Sequence, residues 1–152
     1  MIIALIDLYA QNNFIKEHYE RELYKLLIER TPDQSISHKV VPTYGNHLKF
    51  VRSKPYRDWF IIIKHISSGI DLLGTIYFTY NNEVGIFIPN RFQQKGIGSE
   101  ALKEIINKYP TEILYANINP KNIRSIKFFQ KHGFELFAEE LKQNVYARTP
   151  CA

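Results

Sequence analysis

Three runs of β-branched and aromatic residues, Trp59 to Ile66, Leu72 to Tyr80 and Val84 to Ile88, follow one another with only short polar turns around Ser67-Ser68-Gly69 and Asn81-Asn82 between them. Returning a strand parallel to its neighbour takes a crossover of about a dozen residues or more. These turns are too short for that, so the three runs predict an antiparallel meander. Leu72 to Tyr80 is apolar on both faces, the pattern of a central strand covered from both sides.

The flanks of the meander set the class. Upstream, Ile2 to Leu8 reads as a strand, and Gln11 to Arg30 places Ile15, Tyr19, Leu23, Leu26 and Leu27 at helical spacing among charges. Thr31-Pro32-Asp33 breaks that helix, and residues 32–42 read as a loop. Thr43 can cap a short helix whose Tyr44, Leu48 and Val51 share one face. Downstream, a helix from Gly96 presents Ile97, Ala101, Leu102, Ile105 and Ile106 and stops at Pro110, and Glu112 to Ile118 is a strand. Asn119-Pro120 offers an N-cap and first turn for the next helix, and Lys131-His132-Gly133 the matching stop. Strands at Phe134 to Ala138 and Gln143 to Ala147 finish the chain. The expectation is one domain over residues 1–152, of α/β (α+β) class, with a mixed, mostly antiparallel sheet and helices on both faces.

A chain of 152 residues can bury a core without a disulfide or metal staple. The single cysteine, Cys151, permits no intrachain disulfide and no Cys-rich zinc site. No apolar run is long enough for a membrane span, and Met1 to Leu5 is soon followed by Asp7 with no basic residue before it, unlike a secretory signal. A soluble, cytoplasmic protein is expected. Twenty basic against fifteen acidic side chains leave +5, with a pI near 9.2. That charge would suit nucleic acid or an anionic cofactor, but the lysines are scattered, so a solvated basic surface accounts for it.

Chemistry is concentrated where Val84-Gly85-Ile86-Phe87-Ile88 runs through Pro89-Asn90-Arg91-Phe92 into Gln93-Gln94-Lys95-Gly96-Ile97-Gly98-Ser99 and an amphipathic helix. The first turn of a helix leaves N–H groups unpaired and carries partial positive charge. Glycines let those amides approach a phosphate, so Gln93 to Ser99 can form a pyrophosphate cradle to which Lys95 would add a full charge. Taken alone, glycines near a helix start are more often plain turn and cap residues. The string is no P-loop, which needs Gly-x-x-x-x-Gly-Lys-Ser/Thr. Gly96, Gly98 and Ala101 satisfy the dinucleotide fingerprint, but the long loop after Ile88 and the missing acidic residue at Asn117-Ile118-Asn119 exclude it.

Gln93-Gln94-Lys95-Gly96-Ile97-Gly98 instead resembles the Gln/Arg-x-x-Gly-x-Gly/Ala signature of the GNAT superfamily of acetyl-CoA-dependent N-acyltransferases. Asn122 to Phe134, with Ser125 three residues after the asparagine, Phe128-Phe129 and a closing Gly133-Phe134, is similar to that family's second signature. Order, spacing and predicted elements agree over nearly the whole chain. The resemblance implies a splayed strand pair that receives the pantetheine arm of acyl-CoA on backbone groups near Ile86 and Ile88. It implies loop amides of Gln94, Lys95, Gly96, Ile97, Gly98 and Ser99, with Gln93, at the pyrophosphate, and Asn122 and Ser125 as cofactor contacts. Lys121, Lys127 and Lys131 are candidates for the ribose phosphate, or solvated helix-end charges.

The same resemblance implies direct attack of an amine on the thioester of acetyl-CoA, the co-substrate, with no metal. Glu83 sits where several members place a glutamate base, and reads equally as a solvated turn residue; a water chain can replace a side-chain base. The position usually held by a tyrosine acid is Phe129, which can only pack and line the thioester pocket. Tyr146 and Tyr115 are the alternatives considered, each also readable as an ordinary aromatic. His38 falls where the family builds its acceptor cleft, with Tyr56 and Arg57 as further acceptor candidates by topology. His47, His65 and His132 lack metal-ligand spacing and read as structural, and Trp59 as core. The function expected is N-acetyl transfer to a primary amine. The stretch from Glu29 to Phe50 is loosely similar to enzymes acting on nucleotide-linked amino sugars, which points to such a sugar as acceptor and leaves another small amine, an antibiotic or a protein N-terminus open. The alternatives are a non-catalytic acyl-CoA-binding module, motivated by Phe129, and, last, a nucleic-acid-directed protein, for which no stacking motif is visible. The oligomeric state, homodimer included, has no sequence signal.

Overall fold

A computed structural model describes residues 2–30, 40–140 and 143–150. The elements run β1 (Ala4–Asp7), α1 (Asn13–Glu29), α2 (Tyr44–Arg52), β2 (Asp58–Ile66), β3 (Gly69–Phe78), β4 (Val84–Phe87), α3 (Ile97–Lys108), β5 (Leu114–Ile118), α4 (Ile123–Lys131), β6 (Glu135–Glu139) and β7 (Asn144–Arg148). The meander forms as expected and β1 extends it, giving an antiparallel sheet in the order β1-β2-β3-β4. A second antiparallel sheet has the order β5-β7-β6. Among the described residues a parallel bridge between Glu83 and Tyr115 joins the two sheets, where Tyr115 N–H donates to the Asn82 carbonyl at 2.8 Å.

Two apolar layers cover the first sheet, and strand alternation sorts side chains between them. Ile62, Ile76, Phe78 and Val84 face α3 and α4, where Ile97, Leu102, Ile105 and Phe129 complete one cluster. Ile61, Ile63, Trp59 and Phe87 face α1 and α2 and meet Tyr19, Leu23, Leu26 and Val51. Covered on both sides, β3 is the central strand that its uninterrupted apolar run predicts.

Capping follows the sequence at α2, where Thr43 Oγ1 accepts from Asn46 N–H at 3.2 Å. At the end of α4, Gly133 adopts φ +87°, Phe134 N–H reaches the Phe129 carbonyl at 3.1 Å and Gly133 N–H the Gln130 carbonyl at 3.1 Å, a complete left-handed stop. The start of α4 differs from expectation. Asn119 and Pro120 do not open the helix; Asn119 Oδ1 accepts from Lys121 N–H at 3.0 Å and its carbonyl accepts from Asn122 N–H, so the pair forms a turn. Asn122 then caps the helix through Ser125 N–H at 3.2 Å. Either asparagine can cap, and the proline suits the second position of a turn as well as a helix start. On α2 the buried positions are His47 and Val51 rather than Tyr44 and Leu48.

The α1–α2 contact holds two buried polar groups. Glu20, 1% exposed, accepts from Arg52 Nε at 2.9 Å and from a second guanidinium nitrogen at 3.2 Å. His47, beside Tyr24 and Tyr44, has a buried Nε2 with no partner among the described residues. Burial pushes its pKa below the usual histidine value. The unfolded chain therefore binds a proton at a higher pH than the folded one, so this contribution to stability is full above about pH 6.5 and falls as the pH drops below it. A thermal melt series from pH 8 to pH 5 is expected to show that decline, and His47→Phe to flatten it.

Candidate active site

The backbone of β4 has one satisfied edge and one open edge. Thr79 N–H donates to the Glu83 carbonyl at 2.9 Å, and the β3–β4 register pairs Tyr77 with Gly85 and Thr75 with Phe87. Alternation in an antiparallel ladder turns the N–H and C=O of Ile86 to the opposite edge, toward β5. Beyond the Glu83–Tyr115 bridge no ladder joins β4 to β5. A cleft of about 620 Å³ opens there, a size suited to a small-molecule ligand.

One end of the cleft is the start of α3. Gly96 is its N-cap at φ +77°, with no side-chain capping bond, so the first-turn amides of Ile97, Gly98 and Ser99 point out unpaired. A Cβ on Gly96 would meet nothing within 4 Å, so glycine is needed there for its backbone angle. Gly98 is needed for space: a Cβ would come within 3.3 Å of the Phe128 ring and 3.6 Å of Ile86 Cδ1. Uncapped amides and partial positive charge, with Lys131 and Arg124 also lining the cleft, give this end the electrostatics that suit an anion. Ser99 Oγ lies 2.9 Å from His132 Nε2. Burial, then Lys131, Lys103 and Arg148, disfavour a charged His132, so the pair is a neutral hydrogen bond at pH 7. Gln93 Nε2 donates to the Ile88 carbonyl at 2.7 Å, leaving Gln93 Oε1 buried without a partner among the described residues.

The other end opens on the α1–α2 face of the sheet. Phe87 belongs to that face, and alternation places Gly85 and Glu83 beside it. Tyr77 lies across Gly85 so closely that a Cβ would fall 1.9 Å from its Cζ. Its ring stacks on Tyr56 at 4.0 Å and 6°. Arg30, the C-cap of α1, holds its guanidinium 5.0 Å over the Phe87 ring.

All the site residues that the resemblance implies line this one cleft except Lys95, which is exposed outside it: Glu83, Ile86, Ile88, Gln93, Gln94, Gly96, Ile97, Gly98, Ser99, Asn122, Ser125 and Phe129. Of the lysines, Lys131 borders it, whereas Lys121 and Lys127 do not. Tyr146 is buried and Tyr115 packs edge-on against Phe137, and neither reaches the cleft. Arg57 pairs with Glu112 at 3.1 Å over the Tyr109 ring, away from the cleft, while Tyr56 borders it only through Tyr77. His38 lies outside the described residues. His65 is exposed, and Trp59 is core, its Nε1 donating to Thr75 Oγ1 at 2.9 Å. Among the described residues no group of acidic, His or Cys side chains could hold a metal ion, and no helix is long and apolar enough to cross a membrane.

Tyr77, Arg30, Arg124 and Asn117 also line the cleft without having been expected from the sequence. Arg124 stands inside the second signature and had a signal; the other three are placed by strand register and helix docking.

The architecture is shared with solved structures. A domain from Methanocaldococcus jannaschii is 21% identical with a TM-score of 0.75, covering 96% of this chain and 97% of that one. The N-acetyltransferase PseH of Campylobacter jejuni in complex with acetyl coenzyme A is 19% identical with a TM-score of 0.66, covering 97% and 99%. RimL, a ribosomal-protein α-N-acetyltransferase in complex with coenzyme A, is 19% identical with a TM-score of 0.72, covering 97% and 94%. No curated protein sequence matches the chain. The sequence profile of the acetyltransferase (GNAT) family matches residues 21–134, from within α1 to the stop of α4. The chain therefore belongs to the GNAT family of acetyltransferases.

Proposed function

We propose that this acetyltransferase moves the acetyl group of acetyl-CoA to the primary amine of a small molecule, by direct attack with both substrates bound. The observation that carries the reading is the continuity of one cleft from the uncapped amides of α3, past the open edge of Ile86, to Glu83 on the other face of the sheet. The amides of Gln94 to Ser99 take the diphosphate, with Lys131 and Arg124 beside it. Ile86 offers its N–H and C=O to the pantetheine amides as a missing neighbouring strand would. Asn122 and Ser125, at the start of α4, close the cofactor side. Solved members of similar fold that hold acetyl-CoA or CoA support this assignment.

Glu83 is the proton acceptor. It lies at the mouth of the opening, and no ion pair occupies its carboxylate among the described residues. Phe129, 3% exposed and packed on Phe134 at 5.0 Å, supplies bulk at the thioester and no proton. The acceptor is a small amine, and the loose sequence similarity of Glu29 to Phe50 to enzymes acting on nucleotide-linked amino sugars favours such a sugar among these amines.

Calorimetric titration with acetyl-CoA and then CoA tests the cofactor half. Both should bind, more weakly at high salt, and Gly96→Ile should abolish binding by straining the φ +77° position and filling the cradle. No binding by the unaltered protein would refute the proposal. Thiol release with an amine panel tests the chemical half. Glu83→Gln is expected to lower kcat/KM about a hundredfold or more. An unchanged rate would assign proton removal to water.

A further inference from the structure

The acceptor end of the cleft carries two opposite charges whose separation is set by the strand. Along the α1–α2 face of β4 stand Glu83, then Gly85 under the Tyr77 ring, then Phe87 under the Arg30 guanidinium. Four residue steps run from Glu83 to Phe87, roughly 13 Å of strand at about 3.3 Å per residue. Both Glu83 and Arg30 line the cleft, and neither makes an ion pair among the described residues.

Arg30 is held in place from two sides. Its neighbour Glu29 pairs with Arg91, on the turn that follows β4, at 2.6 Å. That largely exposed pair links the end of α1 to the turn after β4. Its own guanidinium rests on the face of Phe87, itself 5% exposed. A guanidinium lying over an aromatic face keeps its in-plane N–H donors available, and their fork matches the two oxygens of a carboxylate or phosphate. Between the charges the floor is aromatic: Tyr77 over Gly85, backed by Tyr56.

We infer that the acceptor is an amine whose body also carries an anionic group, a phosphate or a carboxylate. The amine meets Glu83, the anion meets Arg30, and the connecting part lies along Tyr77. Arg30 is thus a specificity-determining residue, and an amine lacking the anion forfeits its contact. This rests on the acetyl-transfer reading above and narrows it to one substrate class.

The experiment compares three amines of matched length, hexylamine, aminohexanoate and aminohexyl phosphate, with the unaltered protein, Arg30→Gln and Arg30→Lys. Thiol release from acetyl-CoA gives kcat/KM, and calorimetry with CoA present gives amine binding without turnover. The anionic amines should exceed hexylamine by about tenfold or more in the unaltered protein, the size of one charge-assisted contact. Arg30→Gln should bring them to parity with hexylamine, and Arg30→Lys should retain part of the preference. The better of the two anionic amines identifies the anion as phosphate or carboxylate. Equal use of all three amines, or an equal loss for all three in Arg30→Gln, overturns the inference while leaving acetyl transfer standing. If nothing is acetylated, the transfer reading falls, and the binding arm decides the inference by the same comparison.

Discussion

Strands β4 and β5 run parallel side by side, touch at Glu83 and Tyr115, and then part. Each has its other edge fully paired, β4 to β3 and β5 to β7, so the parting leaves two open edges in the middle of the protein rather than at its margin. Unpaired backbone groups away from water are costly, and interior edges persist only where something else satisfies them. Side chains hold the gap open. Ile86 and the Phe128 ring converge over Gly98 at the base of α3, and Pro89, which has no N–H to give a ladder, turns the chain away immediately after β4. The cleft is therefore a consequence of sheet architecture and helix packing together, and where the strands part its wall is the open backbone edge of β4.

That origin divides the work between the two faces of the sheet. The α3–α4 face contributes main-chain amides and cations, suited to a polyanionic ligand whatever its sequence of atoms. The α1–α2 face contributes side chains: Glu83, Tyr77 and Arg30. Three glycines mark the boundary, each for a different reason. Gly96 supplies a positive φ, Gly98 makes room for Phe128, and Gly85 lets Tyr77 lie flat on the strand. A Cβ at Gly85 would displace the ring and with it the stack on Tyr56.

The start of α3, where the cofactor is proposed to bind, was legible in the sequence because its geometry is local. Unpaired amides at a helix start need only a glycine loop before an amphipathic helix, and Gln93 to Ser99 write that out in consecutive residues. The meander was legible for the same reason, since short turns leave strands no other pairing. The acceptor side was not. Tyr77 faces the cleft because register sets it opposite Gly85, and Arg30 because Tyr19, Leu23 and Leu26 dock α1 on the sheet and leave its C-cap beside Phe87. The misplaced start of α4 is a third kind of case: Asn119 and Asn122 both carry the capping group, and the choice between them is made by the turn that Asn119 closes with Lys121.

The phenylalanine at position 129 raises the question of how much a missing acid matters to the proposed transfer. An alkylamine with a pKa of about 10.4 must lose a proton to attack at pH 7, an unfavourable step of about 5 kcal/mol. A thiol with a pKa of about 8.5 gains only about 2 kcal/mol from protonation at the same pH. Removing the donor for the thiolate is the smaller loss, and solvent entering an open cleft can supply that proton late. Removing the acceptor for the amine's proton is the larger one. With Glu83 at the mouth of the opening and Phe129 packed against Phe134, the chain has, under the proposed transfer, the group that would have more influence on the barrier. The other position holds a side chain that closes the core behind the cleft.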